Sequence, residues 1–242
     1  MADMEMTSAN RTGRSRSRDQ SRSRSRGVSR SRSVARGGPS FNISTGMLRS
    51  GGYNFSSSPG RELNFVDTTF TAAACDTTGS VTLLNGMTQG ASASQRNGRQ
   101  IQMKSLQITG LMSAGSTGTL AYGRCAVVLD LQANAALAAI TDVYDAITTT
   151  TLRNISNMPR FRVLYDSGIV CIQGSSAAPN SGSSVSLPLY KKINIPVQYN
   201  VNSTGAIGDI QTGALLFLTW GLQTPGTTAA SFTGRIRVRY EM

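Results

Sequence analysis

The sequence predicts an all-β fold carried behind a disordered basic arm. Three observations lead there. From Arg61 onward Thr, Ser, Gly, Val and Ile dominate; turn residues cut that region into short apolar runs; and the first forty residues hold ten arginines and little that could enter a core. Short strands punctuated by turns are the pattern of a β-sandwich or barrel. A length of 242 residues suits one large domain or two small ones.

Eight strands are expected, near Glu62–Ala73, Gln100–Ser113, Thr119–Leu131, Arg160–Asp166, Gly168–Gln173, Leu187–Asn200, Gly213–Gly221 and Phe232–Glu241. GALLFLTWG (213–221) is apolar on both parities, as a strand covered on both faces must be, and CAVVLDL (125–131) is nearly so. LPLYKKINIPVQYN (187–200) carries Pro188 and Pro196 on one parity, which fits an edge strand whose imide nitrogens face away from a partner. In IQMKSLQITG the apolar positions run Ile101, Met103, then Leu106, Ile108, so the parity slips near Lys104. A β-bulge explains the slip, and bulges favour edges. YDSG (165–168) joins two runs closely enough to predict a hairpin. The one departure is NAALAAITDVYDAI, where Leu137, Ile140, Tyr144 and Ile147 recur at helical spacing and predict a short helix.

The charge divides unevenly. Arg11, Arg14, Arg16, Arg18, Arg22, Arg24, Arg26, Arg30, Arg32 and Arg36 face only Asp3, Glu5 and Asp19, so residues 1–40 carry +7 of the net +12 and residues 41–242 the remaining +5. Residues 1–40 cannot bury enough surface to offset chain entropy and are expected to be disordered in isolation. Arginine alternating with serine spaces guanidinium groups evenly along a solvated backbone. Each can grip phosphate oxygens bidentately, while nothing in the arm can read base edges. The expected partner is a polymer of phosphates; the same basic run is also compatible with recognition by nuclear import machinery. A Gly/Ser/Pro-rich hinge at 41–60 leads into the folded region, 61–242.

Composition excludes much else. With no histidine in the chain, neither a Ser-His-Asp nor a Cys-His arrangement can form, so no enzyme and no cofactor is expected. Cys75, Cys125 and Cys171 lack metal-ligand spacing and are expected to be reduced core thiols. Asp142 and Asp145 are expected to be surface groups rather than calcium ligands, and Lys191 and Lys192 surface charges. GRQIQMK and GAIGDIQTG match no phosphate loop. No apolar run approaches a membrane span, and MADMEMTSAN lacks the apolar core of a signal peptide; a soluble, intracellularly made protein is expected.

The ordered set GRQIQMKSLQITG, YGRCAVVLDLQANA, RFRVLYDSG, YKKINIPVQYN and TGALLFLTWG behind an arginine-rich arm resembles the single-jelly-roll capsid proteins of circular, Rep-encoding single-stranded DNA (CRESS-DNA) viruses, with the satellite tobacco necrosis virus type behind them. The resemblance covers roughly Arg61 to Met242. It implies an eight-stranded antiparallel jelly roll with sheets B-I-D-G and C-H-E-F, in which 100–113 takes the edge position C, 125–131 the interior position D, 187–200 the edge position G and 213–221 the interior position H. It further implies a subunit that assembles with copies of itself into a small icosahedral T=1 shell, a virion and host-nucleus location, and a single-stranded cargo, DNA before RNA. The metal site of cupin jelly rolls is excluded for want of histidine. The last strand, SFTGRIRVRYEM, sets Phe232, Ile236, Val238 and Tyr240 on one face and Arg235, Arg237 and Arg239 on the other. Three like charges along one strand face call for phosphates, carboxylates or water to answer them. Either a cargo-contacting luminal patch or a solvated or subunit-contact face paired with carboxylates fits. The competing class is a cellular RS-type RNA-binding protein, which would bring an RNA-recognition fold with aromatic motifs that this chain lacks. A carbohydrate-binding jelly roll would need exposed aromatics, and Trp220 sits in an apolar run.

Overall fold

A computed structural model describes residues 63–115, 120–174, 183–226 and 229–242; the arm at 1–40 and the hinge at 41–60 lie outside them. Eleven strands occur among the described residues: β1 (Asn64–Cys75), β2 (Ser80–Leu83), β3 (Gln100–Ser113), β4 (Leu120–Asp130), β5 (Phe161–Asp166), β6 (Val170–Gln173), β7 (Ser184–Ser186), β8 (Leu189–Tyr199), β9 (Ile210–Thr212), β10 (Ala214–Gly221) and β11 (Ala230–Glu241). All eight expected runs are strands, but the expected count of eight is corrected: β2, β7 and β9 have only four, three and three residues, too few to show an alternation in the sequence.

The strands form two sheets in which every pairing between strands is antiparallel. The first runs β1-β11-β3-β8-β9, with β7 also on β3; the second runs β2-β10-β4-β5, with β6 also on β4. Three expectations change. The run 100–113 is interior, between β11 and β8, and the short β2 occupies the edge of the second sheet. The bulge inferred at Lys104 is present, since Met103 pairs with Tyr240 and Ile195 while Ser105 pairs with Arg239 and Lys192. It lies inside a sheet because both neighbours adjust their register around it. The expected YDSG hairpin is instead a break in one line: β5 and β6 pair in succession along β4, not with each other. Ser167 holds the break against β4, its N–H donating to the Cys125 carbonyl and its Oγ accepting the Cys125 N–H, while Gly168 takes a φ of +66°. Finally, the helical spacing yields one turn, α1 (Ile140–Val143), and Leu137 is exposed rather than part of an apolar stripe. As the two prolines suggest, most of β8 has a partner on one side only; β9 reaches just Gln198 and Tyr199.

Two apolar cores follow from this layering. Between the sheets, Phe70, Phe217 and Phe232 meet with ring centroids 4.9, 5.0 and 5.6 Å apart, amid aliphatic residues from both sheets. Tilted aromatic pairs of this kind contribute about 1 kcal/mol each beyond area burial. The Phe232 ring covers the paired Gly110 and Gly234, where an added Cβ would lie 2.6 and 3.1 Å from the ring. The second core lies on the opposite side of the second sheet, where Leu216, Leu218 and Trp220 of β10 pack with Ile140, Val143 and Tyr144 of the connection between β4 and β5 and with Phe161 at the start of β5. That connection explains why β10 is buried at every position.

Polar bonds pin the connection in place. The Arg124 guanidinium donates to both Asp166 oxygens at 2.9 and 2.7 Å and to the Thr149 and Thr151 carbonyls at 2.9 and 3.0 Å. Tyr144 adds its hydroxyl to Asp166 at 2.9 Å, and Trp220 Nε1 donates to the Thr148 carbonyl at 2.9 Å. Burial would raise the Asp166 carboxyl, but hydrogen bonds from Arg124, the Gly168 N–H and Tyr144 outweigh it and hold the group below its usual range.

Candidate nucleic-acid interface

The open face of the first sheet is set by the alternation of β11. Phe232, Ile236, Val238 and Tyr240 are buried, whereas Arg235 is exposed and Arg237 and Arg239 are partly so. Residues directly opposite in antiparallel strands share a face. The register therefore draws rows across four strands: Phe65, Arg239, Ser105 and Lys192 form one, and Asp67, Arg237, Gln107 and Tyr190 the next. Thr69, Arg235 and Thr109 continue the face beyond them.

The three arginines are not equivalent. Arg237 is committed to Asp67, Nε to Oδ1 and Nη2 to Oδ2, both at 2.7 Å, and its guanidinium lies 4.5 Å from the Phe65 ring centroid. The hydrogen bond from Arg237 holds the Asp67 carboxyl below its usual range, and the same bond raises Arg237. Arg235 stands 3.9 Å from Asp67, at the limit of an ion pair. Neither Arg239 nor Lys192 has a hydrogen bond or ion pair among the described residues. Lys104, displaced by its bulge, reaches Glu241 at 3.2 Å and Asn194 at 3.3 Å. Five cations thus meet Asp67 and Glu241 on this face, a local excess of +3. Two shallow depressions open on it, one lined by Gln107, Thr109, Arg235 and Arg237, the other containing Lys104, Tyr190, Lys192 and Arg239. Chemically, the face can take phosphate oxygens between cations.

The ten arm arginines lie outside the described residues. Lys192 joins the cationic face, but Lys191 turns the other way and donates to the Leu164 carbonyl at 2.8 Å. Asp142 accepts the Ala139 N–H at 2.8 Å at the start of the single helical turn. Cys75 and Cys125 are buried, and burial pushes both thiols up to about 12; Cys171, expected in the core, is exposed on β6. Sequence reading missed Phe65, Asp67, Lys104 and Tyr190 as members of the face, because membership depends on register across strands far apart in the chain. It also missed Arg96, which is 1% exposed, donates to the Met87, Gly98 and Asn202 carbonyls and lies 4.3 Å from the Tyr199 ring centroid.

Among the described residues, no helix is long and apolar enough to cross a membrane. No curated protein matches the chain. Among solved structures it is similar to a chain described as "Crystal structure of the T13 IBDV viral particle reveals a missing link in icosahedral viruses evolution", with 13% identity over 75% of this chain and a TM-score of 0.30. This chain spans only 32% of that one. It is also similar to a chain of desmodium yellow mottle tymovirus, with 15% identity, 88% of this chain and 97% of that chain covered, and a TM-score of 0.27. The family model described as geminivirus coat protein/nuclear export factor BR1 family matches residues 3–242. Geminiviruses are CRESS-DNA viruses, the group that the ordered sequence runs resemble. The chain therefore belongs to the geminivirus coat protein/nuclear export factor BR1 family and is a viral capsid protein, not an enzyme.

Proposed function

We propose that this capsid protein closes into a T=1 shell of about 60 copies around a single-stranded genome, DNA rather than RNA. The arm condenses the cargo, and the arginine face of the first sheet points toward it. The observation that carries this reading is the division of charge, +7 in the first forty residues against +5 over residues 41–242. Naming β1, β2, β3, β4, β5 with β6, β8, β10 and β11 as strands B to I turns the sheets into B-I-D-G and C-H-E-F, which supports a jelly roll; because the short β2 takes position C, this naming moves 100–113 from the expected C to D and 125–131 from the expected D to E. Ten arginines per arm place about 600 in such a shell, neutralising several hundred phosphates by counterion release. A genome of a kilobase or more needs further cations, which the folded region's own excess would supply. The arm would also serve host nuclear import before assembly.

Sizing and nuclease protection test the proposal together. The expected result is a particle of about 1.5 MDa, sixty times the 25.6 kDa chain, that protects single-stranded DNA. Replacing the ten arm arginines by glutamine should leave shells that lose most of that cargo, and replacing Arg235, Arg237 and Arg239 should reduce it further. Shells of another size overturn the T=1 assignment; variant shells loaded as fully as the parent overturn the roles of the arm and the face.

A further inference from the structure

The outer side of the second sheet, the side away from the first, is covered over part of its length. Leu216, Leu218 and Trp220 of β10 lie there with Ala126 and Val128 of β4, under the connection between β4 and β5. That cover ends at the row of Trp220 and Arg124, whose side chains donate to the Thr148, Thr149 and Thr151 carbonyls. The alternation continues into open rows. Leu222 donates its N–H to the Tyr122 carbonyl at 3.2 Å, Tyr122 pairs with Cys171, and Leu120 pairs with Gln173 beyond them. Leu222 and Leu120 are 53% and 47% exposed.

Beside these rows the connection stands as a raised ridge. Leu152 and Ile155, 76% and 79% exposed, are the most exposed large apolar residues among those described. The ridge is firmly bonded. Leu152 accepts the Asp145 N–H at 3.0 Å; Asn154 donates its N–H to Val143 at 2.9 Å and its Nδ2 to Thr141 at 3.1 Å; Asn157 Nδ2 donates to Asp142 at 3.0 Å, each onto a backbone carbonyl. Apolar side chains fixed in water on such a frame suit contact with another protein, because their backbone is ordered before binding.

Two features identify that protein as a second copy of this chain. Ridge and open rows lie side by side on one side of one sheet, so a two-fold axis at their border sets the ridge of each copy on the rows of the other, an isologous fit. The surface is also nearly free of charge. Residues 146–159 hold one charged side chain, Arg153, whose Nη2 donates to the Phe161 carbonyl at 3.0 Å, and the open rows hold none. Copies that each carry +5 over residues 41–242 repel one another, and an uncharged apolar surface is where they can approach closely.

We propose that the outer side of the second sheet is a two-fold interface between copies, with Leu152 and Ile155 of one seated on Leu222, Tyr122 and Leu120 of the other. The inference rests on the reading of the chain as a self-assembling shell subunit and deepens it by naming one surface on which copies meet. This surface lies across the sandwich from the β11 arginines, so it leaves their face open.

The test is sedimentation equilibrium of the full, nuclease-treated chain over a concentration series in about 0.5 M salt, which screens exposed charges. The parent should approach 51 kDa, twice the 25.6 kDa chain. Leu152→Lys and Leu222→Glu should each weaken the dimer about 30-fold. Mixing the two variants should give a dimer about 10-fold tighter than either forms alone. One half of the mixed contact is native, and the other sets the introduced lysine against the introduced glutamate; damage to the fold gives no such recovery. Hydrogen exchange should show 120–122 and 152–155 gaining protection as concentration rises. A parent that stays monomeric while still building shells, variants that dimerise as the parent does, or a mixture no tighter than its components would overturn the proposal. Protection independent of concentration would assign the surface to another part of the same chain and overturn it too. If the parent forms neither dimers nor shells, the assembly reading itself falls; if the parent and both variants form shells equally well, only the present inference falls.

Discussion

Arg96 shows how much a single buried residue can decide. Among the described residues its guanidinium meets three backbone carbonyls and the Tyr199 ring, and it ties the segment before β3 to the loop after β8. Arg96→Met keeps bulk but leaves the three carbonyls without their donor, so a loss of about 3 kcal/mol is expected in denaturant unfolding. The cysteines make a second prediction at this scale. Cys75 and Cys125 are buried with thiols pushed up to about 12, so iodoacetamide applied to the native chain should label Cys171 alone, as read by peptide mass spectrometry. Labelling of all three at one rate would show that the strands open easily. The sequence identified these cysteines as unpaired thiols; that Cys171 faces outward follows from the break at 167–169, which reading YDSG as a hairpin hides.

At the scale of elements, the connection between β4 and β5 is held down by the Arg124, Asp166 and Tyr144 cluster over a core built on Trp220. The Asp166 carboxyl lies below its ordinary value in the folded chain, as does that of Asp67. A depressed carboxyl contributes stability that is fully present above its unfolded value, about 4, and is lost as pH falls through the lower folded value. The protein should therefore hold its stability from neutral pH down to about pH 4 and lose it below. Asp166→Asn should cost about 2 kcal/mol at neutral pH and flatten the acid limb, which unfolding midpoints across the pH range would reveal. The strand runs, the slip at Lys104 and the double burial of β10 were legible because each is a local alternation. The place of 100–113 within its sheet was not, because a bulge marks a local irregularity and leaves open which neighbours accommodate it. Nor was β2, whose four residues are too few to alternate visibly.

For the whole molecule, salt dependence tests the proposal that both the arm and the sheet face contact the cargo. Each neutralised phosphate on a single strand contributes about 0.7 to the salt slope. Deleting residues 1–40, with their ten arginines, should lower that slope by about 7, and a smaller salt-dependent remainder should belong to the folded region. A truncated chain with no remaining salt dependence would assign all cargo contact to the arm.

The sequence by itself determined the basic arm, the two-faced strands, the alternation that lifts Arg235, Arg237 and Arg239 out of the core, and membership of a capsid family. Those properties reside in composition and in period-two order, which any short window displays. Tertiary structure alone decided that Asp67 would claim Arg237, that Lys192 and not Lys191 would join the arginines, and that Phe65 and Tyr190 would flank them. Each of these depends on which residues of distant strands lie opposite one another, and a shift of one residue in that register would carry a whole strand's side chains to the other face.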